Sequence, residues 1–194
     1  NQTTGEANHV ASPFFVNQFV SMNITIRQET PADYHAVCKI HQAAFGQENE
    51  SQLVEAIRKD AAFIPELSLV AFVEKELVGH ILISKVTIEN THGDHHPSTA
   101  LAPVAVVPHM QGRGVGSKLI TKSIELATGL GYQSMIVLGH KNYYPRFGFE
   151  EAKNWNIQAP FPVKSEYFMA MELASNGLEG VSGVVQYSEP FNNV

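Results

Sequence analysis

Cysteine is almost absent: Cys38 stands alone among 194 residues. An intrachain disulfide and a cysteine-built zinc module are excluded on that count. Cys38 itself reads as a small core residue on a helix. No apolar run reaches the roughly 18–20 residues that a helix needs to cross a bilayer, so no membrane partner is expected. Positive charge is scarce as well. Lys and Arg number 13 against 19 Asp and Glu, a formal net charge of −6 at pH 7. That is the wrong sign for a generally basic nucleic-acid binder, and no nucleic-acid partner is expected. The apolar pieces Pro13-Phe14-Phe15-Val16 and Phe19-Val20 are interrupted by Asn17 and Gln18 and lack a basic flank. They do not make a secretory signal, and the cytoplasm is the default expectation.

What is present suits one ordinary domain. The chain is 44% apolar, and a chain of this length buries roughly 70% of its unfolded surface without disulfides or metal. Residues 1–21 read as an N-terminal extension. The domain is expected over 22–194, with its core at 24–173 and a Gly-rich C-terminal segment at 174–194. Ile24 and Ile26 alternate with polar neighbours, as in a half-buried strand. Thr30-Pro31-Ala32-Asp33 suits a helix start, and Tyr34, Val37, Cys38, His41 and Phe45 follow at helical spacing. A second helix fits Ser51 to Ala62.

Leu67–Glu74 and Leu77–Glu89 are apolar runs separated only by Lys75 and Glu76, a spacing that predicts an antiparallel hairpin. Asn90 to Ser98 reads as a loop. Leu101–Val107 is a third strand, in which Pro103 requires an irregularity. Val115, Leu119, Ile120, Ile124 and Ala127 form an apolar helical stripe that should end at Gly129 or Gly131. Met135–Leu138 and Tyr167–Leu173 are further strands, and Val184–Tyr187 is a candidate for one more. This order predicts an α/β (α+β) single domain with a mixed sheet.

The chemical signal is Gln111-Gly112-Arg113-Gly114-Val115-Gly116, between a strand and a helix. It fails the G-x-G-x-x-G dinucleotide pattern at Ser117 and the P-loop pattern at Lys118. Glycines let a ligand approach the main chain closely. The free N–H groups and the positive dipole at a helix start favour a pyrophosphate. Arg113 can add a full charge. The run matches [QR]-x-x-G-x-[GA], and Tyr143-Tyr144-Pro145-Arg146-Phe147-Gly148-Phe149 follows thirty residues on, preceded by Leu138-Gly139. In these motifs, and over about Ile24 to Leu173, the chain resembles the GNAT superfamily of acyl-CoA N-acyltransferases. It is nearest to bacterial members whose acceptor is unknown.

That resemblance implies a mixed, mostly antiparallel sheet flanked by helices, with a V-shaped splay between the strands near 101–107 and 135–138. Acetyl-CoA, the cosubstrate, would lie in the gap. Gln111, Gly112, Arg113, Gly114, Val115 and Gly116 would hold its pyrophosphate, and main-chain groups of Val104 and Val106 its pantetheine arm. The reaction implied is direct attack of a primary amine, through a tetrahedral intermediate. The Val106 N–H would polarise the thioester carbonyl and Tyr144 would serve as the acid, with Tyr143 the neighbouring alternative. A non-catalytic CoA-binding sensor or interaction module is the other reading. The asparagine often found seven residues before the tyrosine is replaced here by Val137, and Asn142 does not take over its role.

Glu48, Glu50 and His140 are candidate bases. The acceptor is an amine on a small molecule or protein. Trp155, Phe161 and Phe168 read first as core aromatics and second as walls of its pocket. Homodimerisation is compatible with the family's habits. His92-Gly93-Asp94-His95-His96 has metal-ligand residue types but reads as an exposed polar turn, so no metal is assigned.

Overall fold

A computed structural model describes residues 22–193. The expected extension at 1–21 lies outside them. Three helices and nine strands follow in chain order. They are β1 Ile24–Gln28, α1 Tyr34–Phe45, α2 Asn49–Ile57, β2 Phe63–Val73, β3 Glu76–Glu89, β4 His95–Val106, α3 Val115–Gly129, β5 Ser134–Leu138, β6 Glu150–Glu151, β7 Ile157–Gln158, β8 Phe168–Glu172 and β9 Gly183–Gln186.

The sheet runs β1-β2-β3-β4-β5-β8-β6, with β9 paired to β3 and to the short β7. Its longer pairings are antiparallel except for β4 with β5. β2 follows β3 only as far as Phe63 opposite Ser84, and β9 takes over that edge at Thr87–Glu89. The chain after β9 is thereby led back towards α2. Its last 3-10 turn, Glu189–Asn193, packs there, with Phe191 against the cluster of Val37, Leu53, Val54 and Ile57.

α3 packs against β2 and β3. Val115, Leu119, Ile120 and Ala127 are buried in the main core with Leu69, Ile81, Ile83 and Met135. That is the stripe predicted from spacing. It ends at Gly129, and Gly131 adopts φ +85° just beyond.

Several element boundaries differ from expectation, β2 among them, which starts at Phe63 rather than Leu67. α2 starts earlier and ends at Ile57 rather than Ala62, because Asp60 caps the following turn by accepting from the Ala62 N–H at 2.8 Å. The loop after β3 shrinks to Asn90–Asp94, since His95–Ser98 pair with Val86–Glu89 and extend β4. Alternating polar residues on a solvent-facing strand end carry no apolar signal, and polarity alone had suggested a loop. β8 spans Phe168–Glu172, one residue shorter at each end. Cys38 is half-buried on α1, less covered than a core residue.

Candidate active site

Pro103 produces the irregularity its residue type required. Ile81 pairs with Val104 and Ile83 with Leu101, so Ala102 and Pro103 together oppose the single residue Leu82. This is a bulge of the kind that turns a strand away from its partner. On its other edge, β4 pairs with β5 only at Thr99–Met135, Ala100–Ile136 and Leu101–Val137. Beyond Leu101 the two strands separate. The Val107 N–H donates to the Val78 carbonyl at 2.9 Å. By strand alternation, the main-chain groups of Val104 and Val106 therefore face the gap rather than β3.

One end of the gap opens at the start of α3. Gly112 and Gly114 sit at φ +72° and +86°, where a side chain is strained, and a Cβ at either would point into open space. Among the described residues, no acceptor meets the N–H groups of residues 112–117. These amides rim a cavity of about 470 Å³, lined by Gln111, Gly112, Gly114, Val115 and Gly116 together with Val104 and Val106. Free N–H groups and a helix N-terminus on one concave surface suit a phosphate-bearing ligand.

The sequence-predicted residues here divide. Gln111 turns inward, its Nε2 donating to the Val106 carbonyl at 3.0 Å and fastening the turn to β4. Arg113 is exposed and does not line the cavity. Arg146 does. Its guanidinium lies 4.3 Å from the Tyr143 ring centroid, and Nη2 donates to Ser117 Oγ at 3.3 Å. Neither Arg146 nor Ser117 was predicted. Arg146 sat in the Tyr-Tyr-Pro-Arg run, where only the tyrosines drew notice. Ser117 Oγ lies 3.4 Å from Tyr143 Oη, so Tyr143 belongs to this cavity.

Tyr144 faces the other way. It lines a second cavity of about 620 Å³, which shares Phe45 and Val104 with the first. The two meet at the splayed edge of β4. Tyr144 is 8% exposed, packed edge-on to Phe149 and Tyr143. Burial, with Tyr143 alongside, pushes its hydroxyl up to about 12, so it stays protonated. Gly139 makes this placement possible: a Cβ there would lie 2.0 Å from Tyr144 Cε2.

Of the three candidate bases, Glu50 lines the second cavity, while Glu48 and His140 do not. Phe161 lines it too. Phe168 is buried in a separate core cluster, and Trp155 packs on that cluster. His92 and His95 are exposed, and no metal-holding cluster occurs among the described residues.

A buried polar chain lies behind this junction. By the only consistent hydrogen placement, His41 Nε2 donates to His80 Nδ1 at 2.9 Å and His80 Nε2 to Ser68 Oγ at 3.0 Å. Ser68 Oγ in turn donates to Glu29 at 2.7 Å. Arg58 completes the chain as an ion pair with Glu29. Burial would raise Glu29, but the nearby His80, the Arg58 ion pair and the bond from Ser68 outweigh it and hold the carboxyl at about 2. Burial holds His41 down at about 3. The chain ties α1 to β3, where His80 pairs with Ala105, and so fixes Phe45 one turn further on.

Residues 25–152 match the family model for the acetyltransferase (GNAT) domain, about two thirds of the chain. The chain belongs to the GNAT acetyltransferase family. Its GNAT relatives include the uncharacterized N-acetyltransferase YjhQ of Escherichia coli K12, 39% identical over 137 residues, which are 70% of this chain and 75% of YjhQ. The crystal structure of the GNAT family N-acetyltransferase YhbS from Escherichia coli, in complex with CoA, aligns with a TM-score of 0.80 at 28% identity. The alignment covers 95% of this chain and 96% of YhbS. A GNAT family acetyltransferase from Brucella melitensis, in complex with acetyl-CoA, aligns at 0.71 with 30% identity, over 88% and 99% of the two chains. The mixed, mostly antiparallel sheet flanked by helices is the GNAT fold.

Proposed function

We propose that this protein moves the acetyl group of acetyl-CoA to a primary amine by direct attack. The observation that carries the reading is the meeting of two cavities at one splayed strand edge, one rimmed by free amides and the other closed by a protonated tyrosine. The residues present fit the cosubstrate. Residues 112–117 offer unpaired N–H groups at a glycine-made turn. Val104 and Val106 turn main-chain groups to the gap, as an added strand needs. CoA-bearing relatives support the choice of ligand.

Acetyl-CoA supplies an activated acyl thioester. Val106 would aim its N–H at the acyl oxygen, a preorganised donor of a kind worth about 3–4 kcal/mol where it has been removed from hydrolases. Tyr144 would donate to the leaving sulfur. Its raised proton affinity keeps that donor available across neutral and alkaline pH. The amine must shed its proton before attack, so turnover should rise with pH and show no alkaline fall traceable to Tyr144 up to pH 10. The test is CoA-dependent thermal stabilisation joined to mass-spectrometric detection of acetylated product across an amine panel. Stabilisation without any product would leave a CoA-binding module, and no stabilisation would remove the reading.

A further inference from the structure

The second cavity carries information about the acceptor. Among the described residues, few large apolar side chains stand in solvent. Three of them, Phe45 at 43% exposure, Leu138 at 47% and Phe161 at 41%, line this one cavity. Phe161 stacks beside Tyr187 at 6.3 Å between ring centroids, and Tyr187 lies 4.9 Å from Phe191. These three rings form a continuous aromatic wall that ends where Phe191 packs on the cluster containing Leu53. Exposed apolar side chains gathered in one concavity mark a binding surface rather than core packing.

The wall is charged at one point only. Glu50, in the first turn of α2, is the single ionisable acid among the lining residues, and Gln47 Nε2 holds its carboxylate at 3.0 Å and 3.2 Å. Among the described residues, no lysine, arginine or histidine lines the cavity. An acceptor with a carboxylate or phosphate would therefore lose hydration and meet no cation there, only the neutral donors of Gln186, Asn192, Tyr144 and Tyr187. A polyamine would bring several charges to one carboxylate. A single ammonium fits Glu50 and the faces of the rings together. The cavity, at about 620 Å³, has the size of a small-molecule site.

Resting on the transferase reading above, we propose that the acceptor is a free monoamine with one cationic nitrogen on an apolar, ring-bearing body and no anionic group. The Phe161–Tyr187–Phe191 wall takes the body, and Glu50 draws in the ammonium. The nitrogen attacks only after losing a proton to solvent. Its lone pair then forms the C–N bond of a tetrahedral intermediate. As that intermediate collapses the C–S bond breaks, Tyr144 passes its proton to the sulfur so that CoA leaves as the thiol, and the nitrogen gives up its second proton, which restores Tyr144.

The test compares 2-phenylethylamine, spermidine, phenylalanine and a lysine-containing peptide at fixed acetyl-CoA, with calorimetric binding of each to the CoA-saturated protein. The expected result is a kcat/KM for 2-phenylethylamine at least tenfold above spermidine and the peptide, and at least a hundredfold above phenylalanine. Glu50→Gln should raise its KM about tenfold, with the KM for acetyl-CoA unchanged, at the strength of a charge-assisted contact. Phe161→Ala should erode the preference over spermidine. Spermidine, phenylalanine or the peptide as best acceptor would overturn the proposal while leaving the transferase intact. So would an unchanged KM in Glu50→Gln. CoA binding with no amine bound or acetylated would overturn it as well and leave a CoA-binding module. Failure of CoA itself to bind would instead strike the reading beneath it.

Discussion

The cavity at the start of α3 is centred on one short stretch, residues 110–112 and 114–117, with the main-chain amides of its glycine turn on the rim. The cavity across β4 draws side chains from positions as distant as Phe45 and Phe191. The first needs glycine at set places and little else. The second depends on α1, α2, the bulge in β4, the loop at Phe161 and the turn after β9 being packed together. A ligand part common to many reactions can be held by backbone, whereas an acceptor peculiar to one reaction must be read by side chains. The difference implies that the two cavities fail separately under local change and together when the elements between them come apart.

The largest expected effect is of the second kind. The Glu29–Ser68–His80–His41 chain holds α1 on β3, and Phe45, which α1 carries, lines both cavities. His41 sits at about 3 in the folded protein against an ordinary 6.5, and Glu29 at about 2 against 4.5. Both folded values are depressed. The unfolded chain therefore binds more protons below pH 6.5, and stability must fall as pH falls. The loss begins below pH 6.5 through His41 and His80, which burial also holds down, and grows below 4.5 as Glu29 joins. Melting temperature followed from pH 8 to pH 3 should decline in those two stages and take both cavities with it. In His41→Asn the upper stage should shrink, with His80 carrying what remains. A melting temperature constant down to pH 4 would contradict the account.

Next in size is Tyr144→Phe, which acts on one side only. Removing the hydroxyl should lower kcat by about a hundredfold or more, the low end for a general acid, while CoA affinity stays within about twofold because Tyr143, not Tyr144, touches the first cavity. Steady-state kinetics with CoA titration decides it. An unchanged kcat would return the acid's role to Tyr143 or to water.

Gly114→Ala is the counterpart on the other side. Gly114 lies at φ +86° with nothing within 4 Å of a Cβ, so alanine clashes with nothing and costs only its backbone preference, about 1–2 kcal/mol. The free turn can relax, but the ligand-binding one cannot. The KM for acetyl-CoA should therefore rise about 5- to 30-fold, with kcat at saturation held. A fall in kcat at unchanged KM would mean that the turn does not hold the ligand.

The same contrast explains what could be read from sequence. The glycine turn, the α3 stripe and the Pro103 irregularity are local, and each residue type forces its backbone. Tyr144 was legible because it stands four residues before Gly148-Phe149. Of the proposed acceptor wall only Phe161 was legible, and only as a second reading. Phe161, Tyr187 and Phe191 share no period or motif and meet only because β9 takes the edge that β2 leaves. The buried chain was equally hidden: Glu29, Ser68 and His80 each look like ordinary polar residues until their strands are in register. Even the legible turn misled at one place, since a sequence gives Arg113 its charge but not its direction.

That direction sets the smallest of the expected effects. Both arginines are exposed, but Arg146 lines the first cavity, stacked on Tyr143 and bonded to Ser117, whereas Arg113 stands clear of it. A pre-positioned cation at a phosphate site is worth more than one free to wander in water. Arg146→Ala should raise the KM for acetyl-CoA about three- to tenfold, and part of that increase should persist in high salt because Tyr143 and Ser117 hold the guanidinium at the cavity. Arg113→Ala should raise it less than about twofold, and salt should erase the effect as the screening length shrinks towards about 3 Å near 1 M. Measuring both variants at low and high salt separates a charge held in the site from one merely near it. If Arg113 proved the stronger, the turn would have to swing its side chain inward on binding, and the backbone cavity would be less preformed than its unpaired amides imply.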